Sequence, residues 1–200
     1  MHLRAPAILL STRPHGETAV IARLLTEQHG LVAGYVAGGR GRRLRAVAMP
    51  GNAVDLQLSA GSDSQLPFAT LELTASRGPW LGEPLPAAAI GWVCALTATA
   101  LPERQPHPPL FAALCALLEA ICHAPSARGW AAALVGYEAL LLRELGYGSA
   151  SARPGGDLPE VLAAMDRLGE PLQRYLLADQ RSDVMAARAR LRDLLGRMSE

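Results

Sequence analysis

Lysine is absent from this 200-residue chain, so all nineteen of its strong bases are arginines. Any cationic surface must therefore be built from planar guanidinium groups that stay charged and grip phosphates bidentately. Aromatic residues make up only 4% of the chain, so base stacking is expected to be sparse and phosphate contacts to dominate any nucleic-acid binding. Cysteine occurs three times, at Cys94, Cys115 and Cys122, with no CxxC pair. That odd, widely spaced set suits a reducing cytoplasm and small core residues rather than a disulfide framework or a zinc site. No apolar run is long enough to span a bilayer, and the N-terminus lacks the layout of a signal peptide. A cytoplasmic protein without a membrane partner is the expectation.

Catalytic signatures are missing too. There is no GxxxxGK[ST] phosphate loop, GxSxG, HExxH or spaced Cys/His set. "GGRGRR" has neither the lysine nor the hydroxyl of a phosphate loop. His15 and Glu17 are close in sequence, but such neighbours usually point apart. The remaining acids are scattered and compel no two-carboxylate site. A non-enzymatic protein with no cofactor and no metal is the reading.

Half of the residues are apolar and 18% are charged, enough to bury a real core and too apolar for a disordered chain. The formal charge of +1 hides an asymmetry. Seven arginines (4, 13, 23, 40, 42, 43 and 45) precede Ala46, against two acids, Glu17 and Glu27. From Gly78 onward eleven arginines face thirteen acids. The N-terminal third is thus polarised toward a polyanion.

The first eighty residues read as short strands. Ala7–Leu10 is an apolar run closed by the turn signals of "STRPHGE". Thr18–Thr26 suits a strand or a helix, and Gly30–Val36 is a second short run. "AVDLQLSAG" (Ala53–Gly61) alternates Val54, Leu56 and Leu58 with polar residues. "ATLELTASR" (Ala69–Arg77) repeats this with Leu71 and Leu73. Five short strands joined by Gly/Pro/Ser turns suggest a small OB-like barrel. After "GPWLGEPLP" the pattern becomes helical: Ala87–Ala100, Leu110–His123, Trp130–Leu145, Leu158–Ala178 with an interruption near Gly169–Pro171, and Val184–Met198. The expected class is α+β in two domains, a barrel over 1–80 and a helical domain over 81–200. A flexible connector is expected near 148–157.

"GGRGRRLRA" (Gly38–Ala46) is the strongest local signal, four arginines in six residues among glycines. Such a loop is expected to be flexible and to let backbone and guanidinium groups approach a phosphate backbone. Arg13, His15 and Arg23, on or beside neighbouring strands, extend the basic surface. The apolar helices offer core packing or a groove for a partner peptide, and both readings stay open.

The segment Ile8–Asn52 resembles the N-terminal part of the RecO family of bacterial recombination mediators. It has an apolar strand, S-x-R-P-x-G-E, L-x-T-x-x-x-G, a Gly/Arg-rich loop and a "P-G" before the next strand. Ala100–Ile121 is similar to that family's first helical region, with E-x-x-P-x-P-x-L-F. "GYEALLLRELGYG" (Gly136–Gly148) is similar to its E-x-x-L-L-x-x-L-G-F/Y helix. The resemblance covers most of Leu3–Gly148 in order.

It implies an OB domain followed by a helical domain. It also implies a DNA repair function: binding single- and double-stranded DNA, annealing strands, and loading RecA onto SSB-coated DNA with RecR. The implied partners are thus DNA, RecR and the acidic C-terminal tail of SSB, in the cytoplasm at the nucleoid. Arg13 in S-x-R-P and Arg40, Arg42, Arg43 and Arg45 in the Gly/Arg loop become phosphate contacts. Many family members carry a cysteine-bearing, zinc-binding segment after the L-G-F/Y helix. Here Gly148 runs straight into "SASARPGGDLPEVL", so no zinc is expected. Two competing readings are a protein-interaction scaffold whose barrel no longer binds DNA, and an OB-fold RNA-binding protein.

Overall fold

The computed structural model describes residues 2–62, 65–148, 155–178 and 184–198. Most of the expected connector, 149–154, lies outside the described residues. Two compact units emerge: Met1–Pro79 with Leu101–Phe111, and Trp80–Ala100 with Ala112–Glu200.

The first unit is a five-stranded closed barrel of β1 (His2–His15), β2 (Ala19–Thr26), β3 (Gly30–Val36), β4 (Ala53–Ser59) and β5 (Phe68–Ala75), in the order β1-β2-β3-β5-β4. A short helix, α1 (Arg42–Arg45), lies between β3 and β4. This is an OB-like barrel followed by helices, as the composition suggested. Thr18–Thr26 resolves into a strand: Ala19, Val20, Ala22, Leu24 and Leu25 are all buried there, and β-branched and aliphatic residues suit a surface packed on both faces.

β1 differs from the short run expected. It continues through Ser11–His15 and carries both edges of the closure. Its N-terminal half pairs with β4 (His2↔Ser59 to Ile8↔Ala53) and its C-terminal half with β2 (Ala7↔Thr26 to His15↔Ala19). Pro14, which read as a turn signal, is accommodated in the strand, and the chain reverses after His15 instead. A bulge between Leu9 and Ser11 exchanges the faces. Before it Ala7 and Leu9 point into the barrel; after it Thr12 and Pro14 take the inner parity, and Arg13 and His15 the outer.

The inner face collects Ala7, Leu9, Val20, Ala22, Leu24, Val32, Val36, Val54, Leu56, Leu58, Ala69 and Leu71 into one core, against which Leu3, Leu44 and Val47 pack. Gly34 lets the barrel close. A Cβ there would fall 2.7 Å from Ala69 Cβ and 2.9 Å from Leu58 Cδ2, so only glycine allows β3 and β5 to come together without displacing core side chains. Their parallel contact is confined to Tyr35↔Phe68, supported by Tyr35 N donating to Pro67 O at 2.8 Å. The alternation expected to bury Leu73 fails for that reason. At the far end of β5, Leu73 lies beyond the part that β3 closes and is 37% exposed.

The β2–β3 turn explains the L-x-T-x-x-x-G spacing. Buried Thr26 accepts from His29 N and donates from Oγ1 to Gly30 O, both at 3.1 Å.

A short helix, α2 (Gly78–Leu81), follows β5 in the chain. The second unit contains α3 (Pro84–Ala100), most of α4 (Pro108–His123), α5 (Ala131–Glu144), α6 (Leu158–Pro171) and α7 (Val184–Gly196). α6 starts at an Asp157 cap that accepts from Glu160 N at 3.0 Å. The expected interruption falls at Pro171, after which Leu172–Leu176 forms a wider π-helical turn; proline has no N–H to continue the ladder. At the heart of this unit Glu138, fully buried, accepts from Trp92 Nε1 at 2.7 Å and from Arg188 Nε at 2.9 Å and Nη2 at 2.8 Å. Arg188 Nη2 also donates to Met165 O at 2.7 Å, so this one ion pair ties α3, α5, α6 and α7. Among the described residues no helix is long and apolar enough to cross a membrane.

Candidate nucleic-acid interface

The Gly/Arg stretch leaves β3 through Gly38, whose φ of +65° is the left-handed conformation that glycine adopts without strain. Gly39 is buried, and its missing Cβ would meet Val20 Cγ2 at 2.6 Å. The arginines beyond it do not form the free loop expected from composition. Arg42–Arg45 winds one helical turn, and Leu44 packs on the barrel core while Arg42, Arg43 and Arg45 stay exposed. A single apolar side chain among the arginines converts the loop into a lid over one barrel end, because packing it against the core removes part of a leucine's area from water.

Hydrogen bonds at either side fix this lid. Arg40 N donates to Thr18 O at 3.0 Å, and its Nη1 donates to Glu17 O at 3.0 Å, tying the stretch to the β1–β2 turn. At the other side Asn52 is fully buried. Its Nδ2 donates to Ala46 O at 2.9 Å and Val47 O at 3.0 Å, and its Oδ1 accepts from Arg77 N at 2.7 Å. Its backbone carbonyl accepts from Leu9 N at 2.9 Å, beside the β1 bulge.

Between the lid and β1 opens a groove of about 720 Å³ whose lining includes Thr12, Pro14, Arg40, Arg42 and Arg45. Among the described residues, none that lines it is acidic. Three arginines lining one groove without a carboxylate give it a positive potential that favours an anionic chain. The remaining arginines named from sequence fall elsewhere. Arg43 is exposed on α1 outside the groove lining, and Arg13 is exposed on the outer parity of β1. Arg23, on β2, forms an ion pair with Glu103 at 3.4 Å, so its charge is already answered.

Around the outside of the barrel, strand pairing aligns Arg13 with Ile21, Ile21 with Tyr35, Tyr35 with Phe68 and Phe68 with Ser59. In this row Tyr35 sits edge-on to His15 (ring centroids 5.8 Å apart) and to Phe68 (5.3 Å).

Comparison with known proteins gives the family. Residues 1–77 match the family model described as Recombination protein O N terminal, and residues 84–153 the model described as Recombination protein O C terminal. The chain belongs to the RecO family. Relatives named DNA repair protein RecO include that of Rhodospirillum centenum, 47% identical over 143 residues, 71% of this chain and 56% of the relative. That of Gluconacetobacter diazotrophicus is 40% identical over 162 residues, 78% of this chain and 64% of the relative. That of Phenylobacterium zucineum is 39% identical over 190 residues, 89% of this chain and 76% of the relative. The chain therefore spans less than two thirds of the first two relatives.

The RecO N-terminal match encloses the whole barrel up to Arg77, the lid and the groove. Two features of this RecO barrel had no local sequence signal. Asn52 carries no charge and reads as an ordinary turn residue after Pro50–Gly51. Tyr35 and Phe68 are thirty-three positions apart and meet only through the β3–β5 pairing.

Proposed function

We propose that this chain is a DNA-binding mediator of recombinational repair that holds the phosphate backbone in the arginine groove. The observation that carries the reading is the convergence of Arg40, Arg42 and Arg45 on a groove without acidic lining. Family membership, and the DNA repair name of the relatives, supply the context. Arg42 and Arg45 make the principal phosphate contacts, and Arg13 and Arg43 extend the basic surface. Arg40 both contacts the backbone and holds the lid, while Arg23, engaged by Glu103, contributes least. Single- and double-stranded DNA are the ligands. Strand annealing and RecA loading with RecR on SSB-coated DNA follow from the family resemblance, with the SSB tail on the helical unit and a cytoplasmic, nucleoid-associated location.

The test is a salt titration of a fluorescent single-stranded oligonucleotide. Each phosphate contact removed lowers the slope of log K against log salt by about 0.7, so Arg42→Ala/Arg45→Ala should flatten it by roughly 1.4 and weaken binding at low salt. Unmeasurable affinity at low salt, or a slope unchanged by the double substitution, refutes the groove reading and favours the protein-interaction scaffold. Preference for RNA over a DNA strand of the same sequence favours the RNA-binding alternative.

A further inference from the structure

We infer that the outer row of the barrel centred on Tyr35 and Phe68 is a base-stacking platform for single-stranded DNA, distinct from the phosphate groove. The inference rests on the DNA-binding reading and adds to it which part of the strand is held, and by what.

Phe68 is 62% exposed. A ring so open has at least one face uncovered, and a large apolar ring on a strand exterior gains from being covered. Its neighbours hold it in place: Tyr35 is edge-on at 5.3 Å, and His15 is edge-on to Tyr35 at 5.8 Å. Three rings from β1, β3 and β5 thus form a fixed cluster. The strand-pairing row running through Arg13, Ile21, Tyr35, Phe68 and Ser59 contains no carboxylate. Ser59 borders a second cleft, of about 410 Å³, whose lining includes Arg4 and Thr70 and, among the described residues, again no acid.

Beside the rings a protein partner would find Leu66, 42% exposed, and half-buried Ile21, a small apolar patch. A nucleotide chain finds π-faces for bases together with cations for phosphates, Arg13 in the same row and Arg4 in the adjoining cleft. Position supports the same occupant. His15 and Arg13 are on β1 immediately before the turn to which Arg40 is hydrogen-bonded, and Thr12 and Pro14, on the opposite parity of that strand end, line the arginine groove. One strand end therefore separates a phosphate-binding face from a ring-bearing face. In barrels of this topology the surface of strands 2 and 3, with the loops before β2 and before β5, is the region used for oligonucleotides; the ring cluster falls within it. Duplex DNA, with its bases stacked inside, gains nothing from the rings.

The experiment compares a fluorescent oligothymidylate with an abasic strand of equal length and with duplex, bound to the full chain and to its Phe68→Leu variant. Leucine keeps an apolar side chain at an exposed strand position, so the variant folds, and far-UV circular dichroism checks it. Wild type should bind oligothymidylate at least about fivefold more tightly than the abasic strand. Phe68→Leu should lose most of that ratio while its abasic and duplex affinities stay within twofold. Equal wild-type binding of thymidylate and abasic strands overturns the platform and leaves the groove standing. So does a variant that keeps the ratio, or one that weakens all three ligands alike. Binding of none of them by wild type overturns both.

Discussion

Replacing Asn52 separates the lid from the barrel it covers. In Asn52→Leu the two donations to Ala46 O and Val47 O are lost, and the buried N–H of Arg77 loses its acceptor. Ala46 is exposed and Val47 half-buried, so water takes over their carbonyls and those two bonds cost little. The Arg77 N–H has no such access, and an unsatisfied buried donor costs about 1–3 kcal/mol. With a further ~1 kcal/mol for the net value of the lost bonds, the barrel should lose about 2–4 kcal/mol. All three tryptophans, Trp80, Trp92 and Trp130, belong to the second unit, so indole fluorescence misses the event. Hydrogen exchange of amides in β1 and β4 reads it: their protection should fall roughly 30- to 700-fold, at about tenfold per 1.4 kcal/mol. The loosened lid should also weaken oligonucleotide binding about tenfold, because ordering even one residue costs about 1–2 kcal/mol. Asn52→Asp keeps the acceptor for Arg77 but sets a carboxylate against two carbonyl oxygens, so it should be destabilised near neutral pH and recover as the pH falls and the acid becomes a donor. Protection within threefold of wild type in Asn52→Leu, or an Asn52→Asp barrel as stable as wild type at neutral pH, refutes the account.

In the helical unit, Glu138→Ala strands the buried Arg188 guanidinium and the Trp92 N–H; urea unfolding followed by tryptophan fluorescence should show a loss of about 3–5 kcal/mol. Glu138→Leu/Arg188→Met removes both charges and should recover most of it, whereas losses that simply add would deny the coupling. On the surface, the hydrogen bond from Arg192 holds the Asp166 carboxyl below its ordinary value of 3.8. The pair therefore stabilises the fold above that value and the contribution disappears as pH falls through the lowered pKa. Because both groups are well exposed, Asp166→Asn should cost only about 0.5 kcal/mol at pH 7 and nothing at strongly acid pH, measured as the pH dependence of the urea midpoint.

The period-2 pattern of β4 made that strand legible residue by residue: Val54, Leu56 and Leu58 are all buried. The helices were legible from their punctuation, down to the break at Pro171. Legibility failed where a residue's role depends on chain far away. β1 looked short because Arg13, Pro14 and His15 are polar or turn-forming by type, yet a strand on a small barrel has an outer face that accepts them. Leu73 looked buried because alternation does not record where a partner strand stops. The arginines of the groove were legible as a charge cluster, but Leu44, which seats them, read as one more residue of a mobile loop. Arg23 was indistinguishable from its neighbours until Glu103, eighty positions on, came alongside it.

The two-sided pairing of β1 also has a kinetic consequence. The β1–β2–β3 meander needs only short-range closures, whereas joining His2–Ile8 to β4 spans about fifty residues. Loop-closure entropy places that long-range pairing late. The lid lies in the chain between β3 and β4, and Asn52, which fastens it, stands at the first residue before β4. The arginines are thus brought to their groove only when the ring of strands shuts. An incompletely folded chain carries the same charge but no groove, so the proposed phosphate-binding arrangement exists only once the barrel has finished folding, and a nucleic-acid strand held there would pull the folding equilibrium toward that closed state.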